Sequence, residues 1–180
     1  MSTIKVLDKE FKLYIKQEEI ESVINDIANQ INEEYKDKNP LFLVMLNGAF
    51  MFASQLFKEL TIDCETSFVK YSTYSGTQST CEVKELIGLN SNLKGRNVII
   101  VEDIIDSGRT LSHLVKLLSQ REPASLQLCT LLDKPDRRVV EVDVKYVGFE
   151  IPDKFVVGYG LDYDQKMRNL PYIGEVVFEQ

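Results

Sequence analysis

The stretch Asn97–Thr110, NVIIVEDIIDSGRT, runs an apolar segment, Val98–Val101, straight into Glu102, Asp103 and Asp106 before it breaks into Ser107-Gly108-Arg109-Thr110. An unbroken apolar run of this length is the pattern of a strand covered on both faces. Burial of an unpaired carboxylate costs about several kcal/mol, so acids at the end of such a strand need partners. In open parallel sheets, ligands bind beyond the carboxyl ends of the strands. Neighbouring strand residues point to opposite faces, but the pleat fades where a strand stops. With the strand ending after Val101, both Glu102 and Asp103 are expected to reach the crevice. Sugar hydroxyls and a hard divalent cation are natural partners there, since Mg²⁺ commonly uses one or two carboxylates together with substrate phosphate oxygens.

The next residues, Asp106-Ser107-Gly108-Arg109-Thr110, open directly into a predicted helix. A glycine-containing turn at a helix N-terminus presents free N–H groups and the positive end of the helix dipole, and Ser and Thr add hydroxyl donors. That is a site for a phosphate. The competing structural reading is that Asp106, Ser107 or Thr110 merely caps the helix.

Working outward, Gln17–Lys38 reads as an amphipathic helix, with Ile20, Val23, Ile24, Ile27, Ile31 and Tyr35 on one stripe. Pro40 ends it, because the residue before proline avoids helical angles. Leu41–Leu46 is a short buried strand, Asn47-Gly48 a turn and Ala49–Leu60 a helix. Residues 62–71 read as a strand. The Ser/Thr-rich segment STYSGTQSTCE that follows has the composition of a mobile loop. Further strands are expected at 83–89, 98–101, 126–132, 145–149 and 155–159, with a helix over 110–120 carrying Leu111, Leu114, Val115 and Leu118 on one face. Strands and helices alternating at this spacing predict an α/β domain, a parallel sheet with helices on both faces. No repeat, low-complexity tract or linker divides the 180 residues.

Composition excludes several function classes. The net charge of -7 argues against nucleic acid or an acidic membrane as partner. No stretch approaches the roughly 20 apolar residues of a membrane span, and MSTIKVLDKE lacks the apolar core of a signal peptide. The three cysteines, Cys64, Cys81 and Cys129, form neither a disulfide framework nor a metal knuckle, so a reduced cytoplasmic setting is expected, with Cys64 and Cys129 as buried, inert thiols. There is no Walker loop and no G-x-G-x-x-G. The lone histidine, His113, falls inside a predicted helix, which argues against a His-based triad or zinc site.

At this point a resemblance enters. VIIVEDIIDSGRT resembles the phosphoribosyl-diphosphate-binding signature of type I phosphoribosyltransferases, and residues 149–163, FEIPDKFVVGYGLDY, resemble the purine-binding segment of the hypoxanthine-guanine branch. The resemblance runs from about Leu41 to near the C-terminus. It implies the type I phosphoribosyltransferase fold, one domain over residues 1–180 with a core at about 36–150. A small hood from about 1–16 and 151–180 would stand over the C-terminal strand ends. The implied activity is purine salvage. The phosphoribosyl group passes from 5-phosphoribosyl 1-diphosphate to hypoxanthine, and also to guanine, with Mg²⁺ as cofactor and diphosphate as product.

Residue by residue, the resemblance implies that Glu102 and Asp103 hold the ribose hydroxyls and help position Mg²⁺. Asp106 faces purine N7 as general base, and Ser107, Gly108, Arg109 and Thr110 cradle the 5′-phosphate. Lys134 is placed against O6, where an ammonium prefers a carbonyl to the amino group of adenine. Phe155 stacks on the base, Val156 offers backbone hydrogen bonds to its edge, and Asp162 holds a second Mg²⁺. Arg168, and more weakly Arg138, faces diphosphate. Leu46-Asn47-Gly48 corresponds to a diphosphate-binding turn with a cis peptide bond. Two departures stand out. Many relatives carry Lys where this chain has Asn47, which removes a side-chain cation, and the usual Ser-Tyr pair of the mobile loop is Thr73-Tyr74. That loop is expected to close over the reacting centre. The resemblance also implies a homodimer or homotetramer. Two rival readings are a regulatory protein with a nucleic-acid partner, which the acidic chain disfavours, and a transferase for another base, which Lys134 with Phe155 disfavours.

Overall fold

A computed structural model of the chain describes residues 3–75, 81–87, 89 and 91–177; for residues 72–75 and 81–87 it describes the backbone alone. The central sheet has the strand order β5-β4-β3-β6-β7-β8. Its strands are β3 (Leu41–Met45), β4 (Glu65–Ser75), β5 (Cys81–Ile87), β6 (Asn97–Ile105), β7 (Ser125–Asp133) and β8 (Tyr146–Glu150). Five of them, β4-β3-β6-β7-β8, run parallel, and β5 adds an antiparallel edge. Three helices, α1 (Gln17–Glu34), α2 (Phe50–Glu59) and α3 (Arg109–Ser119), complete the layered core.

The strand order explains the position of the crevice. From β3 the chain steps through α2 to β4 on one side, whereas from β6 it steps through α3 to β7 on the other. Right-handed crossovers therefore put α2 and α3 on opposite faces of the sheet. The reversal leaves a gap above the carboxyl ends of β3 and β6, the switch point where such sheets bind ligands. Helix α1 lies beside α2 and reaches β8. Its stripe of Ile20, Ile24, Ile27, Ala28 and Ile31 is buried, as 3.6-residue periodicity requires. All of β3, and Val98–Val101 of β6, are buried, so the unbroken apolar runs do mark strands sandwiched between helices.

A second sheet, order β1-β2-β10-β9, is antiparallel throughout. It joins β1 (Thr3–Val6) and β2 (Lys9–Ile15) to β9 (Val156–Val157) and β10 (Ile173–Val177). This is the hood. Phe11 and Ile15 fill its inner face, and Glu175 ties it together through Lys12 at 3.2 Å and through Lys154, whose ammonium also sits 4.4 Å above the Tyr14 ring.

Several expectations are corrected. Strand β6 does not stop at Val101 but continues to Ile105, paired with β7 as far as Asp133. Ser72–Ser75 and Cys81–Glu82, read as loop, extend β4 and β5 as a paired ribbon; backbone pairing overrides the Ser/Thr-rich composition. Residues 76–80, and the side chains of Thr73 and Tyr74, lie outside what is described. The strand expected at 155–159 shrinks to Val156–Val157, because Gly158 and Gly160 turn the chain at positive φ. Cys129 is buried, and burial holds its thiol far above its ordinary value, whereas Cys64 is only half-buried. Among the described residues no helix is long and apolar enough to cross a membrane.

Candidate active site

At the switch point lies a cavity of about 310 Å³. It is lined by Leu46 and Met45 from β3 and the turn after it, Tyr71 from β4, Glu102 from β6, and the segment Asp106–Gly108 with Thr110. Three separated parts of the chain meet there. The reason is topological, since β3, β4 and β6 are adjacent and all three end at this rim.

Although β6 continues past Val101, the Glu102 and Asp103 carboxyls stay close enough to interact with each other. Glu102 lines the cavity, whereas Asp103 packs against Gly48 so closely that a methyl group there would overlap its Oδ2. Burial raises Glu102 well above the ordinary carboxyl range, and the Asp103 charge adds to it. Burial also raises Asp103, opposed by hydrogen bonds from Glu102 and the Ile104 N–H and by the charge of Arg168. Neither acid has a cationic side chain within ion-pair distance among the described residues. Two desolvated carboxyls without a counterion fit an external cation.

The turn after β6 is an anion cradle. Helix α3 begins behind Gly108, which adopts a left-handed conformation (φ 76°) and has no side chain to cap it; of the residues in the capping reading, Ser107 alone reaches an opening N–H, that of Arg109, at a long 3.5 Å. Ser107 turns its carbonyl to the N–H groups of Val139 and Val140, at 3.0 and 3.1 Å. A Cβ on Gly108 would lie 2.5 Å from the Val140 carbonyl oxygen. The opening N–H groups of α3 have no intrahelical acceptor, as at every helix start; among them the Arg109 N–H makes a long contact to Ser107 Oγ at 3.5 Å.

Beyond the cradle stands Asp106, half exposed, with Lys134 Nζ 3.1 Å from its Oδ1. Lys134 is buried at the end of β7, where its backbone N–H donates to the Ile105 carbonyl, and its ammonium also lies 3.8 Å from Asp153. The sequence reading assigned no role to Asp153; its only signal was the turn Pro152-Asp153-Lys154 before Phe155. Arg138 is not turned toward the crevice. It pairs with Asp133 and packs beneath Gly108, with Nε unpartnered.

In the hood, Phe155 keeps 42% of its surface exposed, backed by Phe11 at 6.2 Å and met edge-on by Tyr163 at 5.7 Å. Val156 is buried in β9, paired with Glu175. Arg168 donates to the Gly160 carbonyl at 2.8 Å and lies 3.0 Å from Asp162, which also accepts from the Gln165 N–H. Gly160 presses on the Gly48 carbonyl with no room for a side chain. The Leu46–Asn47 peptide bond is cis, as expected. Arg109 and His113 are both exposed on α3, His113 outside the crevice lining.

The Phosphoribosyl transferase domain family matches residues 14–164, most of the chain and every element around the cavity. The chain belongs to the phosphoribosyltransferase family. Over 169 residues this phosphoribosyltransferase is 50% identical to the hypoxanthine phosphoribosyltransferase of Escherichia coli (strain K12), an alignment covering 92% of this chain and 95% of the relative. It is 44% identical to the hypoxanthine phosphoribosyltransferase of Buchnera aphidicola subsp. Schizaphis graminum, covering 94% of this chain and 97% of the relative. Among solved structures, a hypoxanthine-guanine phosphoribosyltransferase from Bacillus anthracis superposes with a TM-score of 0.88 at 41% identity, covering 92% of this phosphoribosyltransferase and 98% of that chain.

Proposed function

We propose that this phosphoribosyltransferase works in purine salvage, transferring the phosphoribosyl group of 5-phosphoribosyl 1-diphosphate to hypoxanthine, with guanine as a second acceptor. The products are the purine 5′-monophosphate and diphosphate. One observation carries the choice of acceptor: the Asp106 carboxylate and the Lys134 ammonium stand 3.1 Å apart directly before the Ser107–Gly108 turn. A 6-oxopurine presents N7 and O6 side by side on one edge. A proton acceptor beside a cationic donor complements that edge when N7 carries the proton. Adenine would set an amino group against the ammonium and leave a buried donor unpaired, the arrangement that discriminates most strongly.

In this reading the N9–C1 bond forms as the bond from C1 to the diphosphate oxygen breaks, and Asp106 accepts the proton from N7. The Gly108 turn and the start of α3 bind the 5′-phosphate, with Ser107, Arg109 and Thr110 as further donors. Glu102 and Asp103 bind the ribose hydroxyls. The same two acids are the residues that fit Mg²⁺, which when bound supplies positive charge to the departing diphosphate. Among the described residues no cluster of three ligating side chains exists, in keeping with an ion that completes its shell from substrate oxygens and water. Asp162 is engaged by Arg168 and Gln165, so a second ion there would compete with Arg168. Leu46, Asn47, Gly48 and Arg168 face diphosphate, Phe155 stacks on the base, and the Val156 backbone meets its edge. Thr73 and Tyr74 lie on the β4–β5 ribbon, assigned to covering the site during reaction. A homodimer or homotetramer is the assembly that goes with this reading. The decisive assay supplies phosphoribosyl diphosphate and Mg²⁺ with each base in turn. Hypoxanthine turnover, with guanine accepted and adenine and uracil refused, is the expected result. Adenine or uracil reacting while hypoxanthine fails would overturn the acceptor.

A further inference from the structure

The turn after β3 carries a neutral side chain, Asn47, where a group with several negative charges must leave. The neighbouring strand supplies what Asn47 lacks. Lys70 of β4 donates from Nζ to Asn47 Oδ1 at 3.2 Å. The two are held together by the sheet itself, because the Leu46 N–H donates to the Val69 carbonyl at 2.9 Å and Met45 pairs with Val69. Among the described residues, no carboxylate lies within ion-pair distance of Lys70.

We propose that Lys70 is the cation of the diphosphate subsite and that Asn47 positions it. This rests on the function proposed above. The chemistry is specific. An amide whose oxygen accepts from an ammonium keeps both N–H donors available, so the Lys70–Asn47 pair combines a full positive charge with amide donors. Such a pair suits a phosphate oxygen. Charge-assisted contacts of this type are roughly twice as strong as neutral ones. Together with Arg168, which approaches Gly48 from the hood through Gly160, Lys70 brackets the turn with cations from two sides. The Arg168 charge also reaches Asp103, whose own charge would oppose the substrate.

The test uses the full-length chain, with Lys70→Met to keep the stem and remove the charge, and Lys70→Arg to keep the charge. Inorganic diphosphate with Mg²⁺ serves as probe in titration calorimetry, beside steady-state kinetics. Lys70→Met should raise KM for phosphoribosyl diphosphate and Kd for diphosphate by about tenfold, while KM for hypoxanthine stays within about twofold. Lys70→Arg should restore most of the loss. Asn47→Lys placed on Lys70→Met should also restore it, since the cation then comes from the turn itself. Unchanged diphosphate affinity in Lys70→Met would overturn the proposal. So would equal weakening of both substrates, or failure of both rescues. A native enzyme inactive with every base would refute the proposed function instead, a result that no Lys70 variant can produce.

Discussion

Asp106 and Lys134 are the residues on which the chemistry is most exposed to test. Removing the charge of Asp106 while keeping its shape, Asp106→Asn, should lower kcat by about 10²-fold or more, the usual contribution of a positioned base. Binding of the nucleotide product should survive, which equilibrium titration would show. Lys134→Ala should act differently, raising KM for hypoxanthine and narrowing the preference for oxo over amino purines; competition assays with adenine measure that ratio. Much of this was legible in the sequence because the residues are contiguous. Glu102 to Thr110 lie in one stretch, so motif and site coincide. Asp153 and Lys70 were missed for the opposite reason. Each matters only through a partner distant in the chain, Lys134 or Asn47, and neither sits in a pattern that periodicity detects. The fate of Arg138 was hidden as well, since only coordinates reveal that Asp133 claims it.

Among the elements, the start of α3 is the most restrictive. Gly108→Ala would force a Cβ into a left-handed conformation and to within 2.5 Å of a carbonyl oxygen. A loss of about 1–3 kcal/mol of stability is expected from the strained backbone, with KM for phosphoribosyl diphosphate rising more than KM for the base. Helix α1 is tied to β8 by Glu34, which accepts from the Tyr146 hydroxyl at 2.5 Å and pairs with Lys145. The Lys145 ammonium, and then the Tyr146 hydroxyl, hold the Glu34 carboxyl below its ordinary value. Such a group stabilises the fold above its unfolded pKa and ceases to do so as pH falls through its folded one. Glu34→Gln should therefore cost about 0.5 kcal/mol at neutral pH, as partly exposed pairs do. The difference in urea midpoint should shrink as the pH is lowered below the ordinary carboxyl range. Sequence periodicity located α1 within a few residues, since one stripe of isoleucines leaves no alternative. It could not find the end of β6, because Glu102 and Asp103 look like a terminus until β7 is seen to pair beyond them.

For the molecule as a whole, the unneutralised acids at the rim trade stability for function. The Glu102 carboxyl is raised by burial and by Asp103. Its contribution is complete below the unfolded value and is lost as pH rises through the folded one. In the absence of substrate, Glu102→Gln should raise Tm at pH 8 by about 2–4 °C, the equivalent of about 1 kcal/mol in a chain of this length. The gain should shrink toward pH 4 to 5, and turnover should fall, the exchange expected when a functional charge is removed. Differential scanning calorimetry at the two pH values decides it. At this scale the parallel sheet was readable from alternating helices and buried strands. Of the hood strands only β9 was, within residues 155–159. Strand β1 alternates only between exposed and half-buried positions, and β2 finds its partner in β10, more than a hundred residues away in sequence.

Gly160 rests on Gly48, and Gly48 rests on Asp103, with no side chain interposed at either step. A joint of bare main chain has no slack. Rotation of a long side chain can absorb small displacements elsewhere in a protein, but here a shift of the upper layer must be transmitted undiminished to the carboxylate below. The hood and the acidic end of β6 are therefore in direct contact, and a displacement of either has to be taken up by the other.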